Sequence, residues 1–369
     1  MNLDNLGWSD FFAHSFEQLG GQYFEPLQDV SDRIARVAVA HRNQYQLYTK
    51  AGECSAILTG KFRHRAQVAE DFPAVGDWVV FHTQPNAEHR LIDAVLPRKS
   101  QVVRQASGGG SASAQVIAAN IDTLFLVSGL DHDFNLRRIE RYLAMAWRSG
   151  ANPVVVLNKA DLCEDVQAKQ QALESVAIAV PVVVLSALHQ DNLEALSPYL
   201  QPGDTVALLG SSGVGKSTLT TQLMGEVVQL TQAVRMDDSR GRHTTTHREL
   251  LRLPSGALLI DTPGMRELQL WHDDAFNDSS LGETFSDIEA LQAKCRFRNC
   301  QHQSEPGCAV QAALESGALS RQRLNSYHKL QREEAYQHRR QDKQAQSNAK
   351  ARWKHITKTV RQNRCREEG

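Results

Sequence analysis

Between residues 33 and 104 the apolar positions fall in short alternating runs, RVAVAHRNQYQLYT, CSAILTGKF, GDWVVFH and RLIDAVL, broken by turn residues such as Gly76-Asp77 and Pro85-Asn86. A period of two over so few residues predicts several short, half-buried strands and hence a small β-barrel over 33–106, preceded by an N-terminal segment, 1–32. The stretch 107-SGGGSAS-113 is poor at ordering and predicts a linker over 107–119. From Asn120 the pattern changes. Apolar runs without alternation, IDTLFLVSGL, NPVVVLNKADL and PVVVLSAL, take turns with helical stretches such as NLRRIERYLAMAWRSG. Strands apolar on both faces, interleaved with helices, predict a parallel sheet covered on both sides, an α/β domain over 120–275. Beyond about residue 275 strand patterns stop, and a helical Cys/His segment over 276–330 is followed by a basic helical tail over 331–369.

A chain of 369 residues exceeds one ordinary hydrophobic core, which agrees with several domains. The formal net charge of -1 gives no overall field that would draw the molecule onto nucleic acid, so any basic surface must be local. The start, MNLDNLGWSDFFAHSF, lacks a basic segment followed by an apolar run, and no stretch approaches a membrane-spanning length. No membrane partner is expected, and six cysteines in a chain of this size point to metal binding or free thiols in a reducing cytoplasm.

Two stretches then supply chemistry. Residues Gly210, Ser211, Ser212, Gly213, Val214, Gly215, Lys216 and Ser217, followed by Thr218, match G-x-x-x-x-G-K-[ST] between an apolar strand, TVALLG, and a helix, KSTLTTQLM. Gly213 and Gly215 let the backbone curl so that successive N–H groups point at phosphates, Lys216 reaches the outer phosphates, and Ser217 holds magnesium. About fifty residues earlier, Asn158, Lys159, Ala160 and Asp161 close the strand VVVL. An aspartate carboxylate offers two acceptors to the paired N–H donors of guanine, which adenine lacks. Asn158 suits either the base's other edge or a tie between neighbouring loops, and the Lys159 stem suits the ring face. A further strand, PVVVL, ends at Ser186-Ala187-Leu188, where a backbone N–H would meet the guanine oxygen. Together these motifs read as a GTP and GDP site.

Downstream, 258-LLIDTPG-264 ends another strand in D-x-x-G, with Asp261 steering magnesium and the Gly264 N–H on the third phosphate. Between the two phosphate motifs lies 240-RGRHTTTHREL-250, in which one of Thr244, Thr245 and Thr246, with Thr245 as the candidate, completes the magnesium shell. Met265 stands where many small GTPases carry a water-orienting glutamine, so slow intrinsic hydrolysis is expected; His243 or His247 could supply the lost function, and His243 is the catalytic candidate. The order of motifs is reversed, with the guanine reader ahead of the phosphate loop. Joining the original ends of a GTPase domain and cutting new ones in a surface loop produces that order without disturbing the sheet.

The segment 294-KCRFRNCQHQSEPGCAV-310 gathers Cys295, Cys300, His302 and Cys308. Three thiolates and an imidazole make a closed tetrahedral shell for one structural zinc. Arg296, Phe297 and Arg298 within it suit either an RNA contact or a solvated loop. From Lys329 to Gly369 twelve Lys and Arg face five Asp and Glu, with Trp353, Ile356 and Val360 at helical spacing, a pattern that suits phosphate backbones or a solvated helix.

The succession NKAD, SAL, GSSGVGKST, RHTTTH, DTPG and C-x4-C-x-H-x5-C, with 97-PRKSQVVRQ-105 ahead of it, resembles the ribosome small subunit-dependent GTPase A family over about residues 33–330. The resemblance implies an N-terminal OB barrel, a circularly permuted P-loop GTPase domain and a C-terminal α-helical zinc-binding domain. It further implies a monomer that docks on the small ribosomal subunit and its rRNA during late maturation, with GTP hydrolysis stimulated by the ribosome. On that resemblance residues 158–161 and 210–218 bind GTP, the Cys/His cluster binds zinc, and His243 is the suspected catalytic histidine. The chain departs from the pattern in that positive charge sits in the C-terminal tail rather than in residues 1–32.

Overall fold

The computed structural model describes residues 2–23, 30–41, 44–84, 87–105, 114–225, 248–261, 282, 284–297, 300–302 and 305–332. Helix α1 (Asp10–Tyr23) leads into β1 (Ile34–Ala40), β2 (Tyr45–Thr49), β3 (Gly52–Leu58), a short α2 (Gly60–Arg65), β4 (Trp78–His82) and β5 (Arg90–Val95). These five strands hydrogen-bond in the order β1-β2-β3-β5-β4, and β4 returns to β1, so the sheet closes on itself as an OB-type barrel. Only the β3–β5 pair is parallel. Alternate residues, among them Val37, Leu47, Ala56, Val79 and Ile92, fill the interior. The Thr59 hydroxyl accepts from the Phe62 N–H at 3.2 Å, which caps α2 and joins Phe62 to that interior.

Two features depart from expectation. The N-terminal segment, which carried no predicted element, is helical, and Trp8 and Phe12 pack their rings on the fully buried Trp78. Residues 114–119, expected within a linker, form β7 (Ala114–Ala119), which pairs antiparallel with β6 (Gln101–Gln105). The pairing of 115-QVIAA-119 across the hairpin satisfies backbone groups that a bare linker would leave to water, and it buries Val116, Ile117, Ala118 and Ala119.

The second half of the sheet contains β8 (Thr123–Gly129), α3 (Leu136–Ser149), β9 (Asn152–Asn158), α4 (Val166–Glu174), β10 (Val182–Val184), β11 (Thr205–Leu209), α5 (Lys216–Met224), β12 (Glu249–Arg252) and β13 (Leu258–Asp261). The spatial order is β10-β9-β8-β11-β13-β12, parallel throughout except for β12. Each run of consecutive apolar residues splits between the two faces. Leu124, Val155, Leu157 and Ala207 pack under α3 and α4, while Phe125, Val154, Val156 and Val206 pack with Leu219 and Met224 of α5. That two-sided burial is why these strands show no alternation in sequence.

Barrel and α/β domain are joined. β1 meets β12 at Val39 and Glu249, and the Tyr48 hydroxyl donates to the Leu250 carbonyl at 3.0 Å. Beneath this seam the buried Arg36 donates to the carbonyls of Leu6, Gly76 (3.1 Å) and Asn120 (3.0 Å), one from each surrounding segment. Burial pushes its pKa down to about 10, against the opposing pull of Asp122 and Asp77.

The C-terminal unit comprises α6 (Ser286–Gln292), α7 (Ala309–Glu315) and a helix over 321–332. Phe285, Ile288, Val310, Ala313, Leu324 and Tyr327 form its core, which also takes in Ala144 of α3. α3 therefore touches the parallel sheet on one side and the C-terminal unit on the other.

Candidate nucleotide and metal sites

The carboxyl ends of β8, β9, β10, β11 and β13 converge where a parallel sheet ordinarily holds its ligand. β11 runs into the phosphate loop, and α5 begins at Lys216 as the spacing requires. Gly213 and Gly215 adopt φ of 83° and 98°, the left-handed region open to glycine. A Cβ at Gly215 would lie 2.2 Å from Asn158 Nδ2, and one at Gly210 would lie 2.3 Å from the Val127 carbonyl oxygen. The glycines are thus needed for close approach as well as for curvature. Lys216 Nζ donates to the carbonyls of Gly210 and Ser211 at 2.6 Å, which anchors its ammonium over the loop. Ser212 is exposed, Val214 is buried, and Ser217 and Thr218 open the helix.

Although the guanine motif precedes the phosphate loop in the chain, tertiary structure sets the two side by side. Asn158, 2% exposed, donates through Nδ2 to the Val214 carbonyl at 2.8 Å and accepts through Oδ1 from the Ala187 N–H at 2.9 Å. Of the two roles open to it, the geometry shows the tie between loops. Ala160 donates its N–H to the Leu185 carbonyl at 3.2 Å and begins the turn that carries Asp161. The Asp161 carboxylate accepts from the Ser186 hydroxyl at 2.5 Å and lies 3.7 Å from His189 Nε2. Lys159, held at φ 65°, extends its ammonium to Asp131 at 2.6 Å.

Asp131 and Asp133, in the loop after β8, contact both motifs and were not revealed by them. Asp133 pairs with Arg138 at 2.6 Å, and both contact Ser211 of the phosphate loop. Burial raises both carboxyl pKa values, yet the hydrogen bonds from Lys159 to Asp131, and from Arg138 and Ser211 to Asp133, outweigh it and hold both below the usual range. The available signal was two acids in 131-DHDFN-135 directly after an apolar strand.

Asp261 ends β13, and its cross-strand partner on β12 is Glu249. Burial, and then the Glu249 charge, push its carboxyl pKa up, against the attraction of Lys216. Two carboxylates directly opposite each other repel, and a cation placed there would relieve that repulsion. His243, Thr244, Thr245, Thr246, His247, Gly264 and Met265 lie outside the described residues.

The C-terminal cluster assembles as the spacing predicts. Ligand atoms of Cys295, Cys300, His302 and Cys308 all lie within 4.8 Å of one another. His302 Nδ1 is 3.7 Å from the Cys295 sulfur and 3.4 Å from that of Cys308, and those two sulfurs are 3.9 Å apart. A tetrahedral ion with a metal–sulfur distance near ~2.3 Å sets its ligand atoms about 3.8 Å apart, so the four could hold a metal ion with little movement.

The sequence model of the RsgA GTPase family matches residues 95–271. A second model, that of the ABC transporter family, matches residues 193–366, a range that includes the phosphate loop. A "Small ribosomal subunit biogenesis GTPase RsgA" of Opitutus terrae is 50% identical over 364 residues, covering 96% of each chain. An RsgA 2 of Lactiplantibacillus plantarum is 49% identical over 304 residues, 82% of this chain and 84% of that one. Among solved structures, YjeQ from Thermotoga maritima matches with a TM-score of 0.59 and 28% identity, over 81% of this chain and 96% of that one. YloQ, described as a circularly permuted GTPase, matches with a TM-score of 0.58 and 25% identity, over 83% and 96%.

Proposed function

The chain belongs to the RsgA GTPase family and is a GTP-hydrolysing enzyme, and from that premise we propose that it binds the small ribosomal subunit late in maturation and hydrolyses GTP when that subunit stimulates it. The observation that carries the reading is the convergence of the permuted motifs. Asn158 physically ties the phosphate loop to the Ser186-Ala187 turn after β10, which supports one nucleotide spanning 158–161, 186–187 and 210–218. In this reading Asp161 accepts from the guanine N–H donors, and the 210–218 N–H groups with Lys216 receive the phosphates. Magnesium would supply charge neutralisation to the phosphates; Ser217, Asp261 and one of Thr244–Thr246 would hold it, and the Asp261 and Glu249 carboxylates facing each other across β13 and β12 support a cation there.

His243 would orient the attacking water once subunit contact holds its segment, while Met265 leaves the free protein slow, on the order of 10⁻⁴ to 10⁻² s⁻¹. Barrel, metal knuckle and basic tail would form the rRNA contact of a monomer acting in the cytoplasm. Single-turnover hydrolysis titrated with purified small and large subunits separately tests the proposal. The small subunit alone is expected to raise the rate, and His243→Ala to bind GTP normally while losing most of that stimulation. A rate indifferent to small subunits overturns the docking mechanism; a fully stimulated His243→Ala variant removes only the histidine.

The Cys₃His set would hold one structural zinc with no open position for substrate. Such sites draw their folding free energy from coordination, so Cys300→Ser is expected to lose the metal and to unfold 295–308. Metal analysis of the purified wild type should find one equivalent of zinc, and its absence would sink the assignment.

A further inference from the structure

The connection from β8 into α3, residues 130–138, touches both halves of the nucleotide site. At its start the Leu130 N–H donates to the Asn158 carbonyl at 2.8 Å, and Asp131 takes the Lys159 ammonium at 2.6 Å. At its end Asn135 caps α3 by accepting from the Arg138 N–H at 3.1 Å, which fixes where the Arg138 side chain leaves the helix. Between these points the Ser211 hydroxyl of the phosphate loop is engaged by this connection as both donor and acceptor. It donates to Asp133 Oδ2 at 2.5 Å and accepts from Arg138 Nη1 at 2.7 Å, and that same nitrogen pairs with Asp133 Oδ1 at 2.6 Å.

We propose that Asp133 and Arg138 are positioning residues for the phosphate loop, clamping it through Ser211, and that the same connection holds the guanine loop through Asp131 and so sets the separation of the two subsites. The proposal rests on reading 210–218 as the phosphate site. A loop with glycines at 210, 213 and 215 has many alternatives to the curled conformation that aims its N–H groups inward. A three-way hydrogen bond with two charged partners removes most of them before the ligand arrives, and the ordering cost then does not fall on binding. Neither Asp133 nor Arg138 needs to touch the nucleotide for this to work.

The test separates positioning from general stability by comparing ligands with and without phosphates. GDP and guanosine affinities are measured by competition on the full chain for the wild type and for Asp133→Ala, Arg138→Ala, Arg138→Lys, Ser211→Ala and Asp131→Ala. Asp133→Ala and Ser211→Ala are each expected to weaken GDP on the order of tenfold, mainly through faster dissociation, while guanosine affinity stays near that of the wild type. Their double variant should lose no more than either alone, because both break one clamp. Arg138→Ala should behave likewise, and Arg138→Lys should recover most of the loss, since one nitrogen serves both partners. Asp131→Ala, which frees the guanine loop, should weaken GDP and guanosine in equal proportion. Equal loss of GDP and guanosine in Asp133→Ala, or additive losses in the double variant, would overturn the clamp. A wild type that binds no GDP removes the nucleotide reading and the clamp together, whereas normal wild-type binding with an unaffected Asp133→Ala removes the clamp alone.

Discussion

Asp161→Asn is expected to weaken GTP binding on the order of 10⁴-fold and to turn preference toward xanthine nucleotides. The carboxylate presents acceptors only, which suits the ring and exocyclic N–H donors of guanine; an amide replaces one acceptor with a donor and meets the xanthine carbonyl instead. Scaffolding should survive the change, because the tie between loops runs through Asn158, and Ser186 can donate to an amide oxygen as well as to a carboxylate. Equilibrium titration with GTP and XTP checks the switch. An Asp161→Asn variant that kept its preference for GTP would show that another group reads the base.

The second large effect is expected at the seam between α3 and the C-terminal unit. Glu140, fully buried, accepts from Arg137 at 2.9 Å, from Arg323 at 3.0 Å and from the Ser326 hydroxyl at 2.6 Å. Arg323 in turn grips Asp287 at 2.7 and 2.8 Å and the Thr284 carbonyl at 3.0 Å. Arg323→Met leaves Glu140 buried with one cation fewer and strips Asp287 of its partner, at a cost of about 3–5 kcal/mol. Replacing both partners, as in Glu140→Met/Arg323→Met, removes the fully buried carboxylate that Arg323 compensates and leaves only the partly exposed Asp287 without that cation, so it should be less damaging than the single change. Limited proteolysis of the C-terminal unit and thermal unfolding read this out. If Arg323→Met matched the wild type in both, the seam would owe its stability to the apolar contacts of Ala144 and Met145 instead.

Chemistry was legible in the sequence wherever it depends on near neighbours. The phosphate loop is one turn between a strand and a helix, and α5 spans the nine residues KSTLTTQLM that its pattern marked. Cys295, Cys300, His302 and Cys308 lie within one short segment, so their spacing alone limits how far apart the ligand atoms can stand. Strand type was legible too, because burial on one face or on two writes itself into period-two runs or continuous apolar runs.

The contacts made by partners far apart in the chain were not legible. Helix α1 could have been found from Trp8, Phe12, Phe16 and Leu19 at helical spacing, but nothing local says that this face packs on Trp78. β7 was masked by its proximity to a glycine- and serine-rich stretch, since a strand of small residues such as 114-AQVIAA-119 earns its order from the partner β6 rather than from its own propensity. The choice between the two roles of Asn158 required Val214 and Ala187, which lie 56 and 29 residues away. Nothing in the local sequence sets Asp133, Arg138 and Glu140 apart, because their partners Ser211 and Arg323 come against them only in the fold.

By itself, then, the amino-acid order determined which candidate groups this protein carries: a phosphate-loop turn, a carboxylate proposed to read guanine, a Cys/His quartet that could hold a metal ion and the strands that present them. Each is encoded within a few residues, where steric and covalent limits leave little choice. Only tertiary structure decided what those groups lean on, because hydrogen bonds and ion pairs across tens of residues form when apolar burial on both faces of the sheet has already brought the segments together. The permuted order shows the division plainly, for the sheet restores as neighbours two loops that the chain presents in reverse.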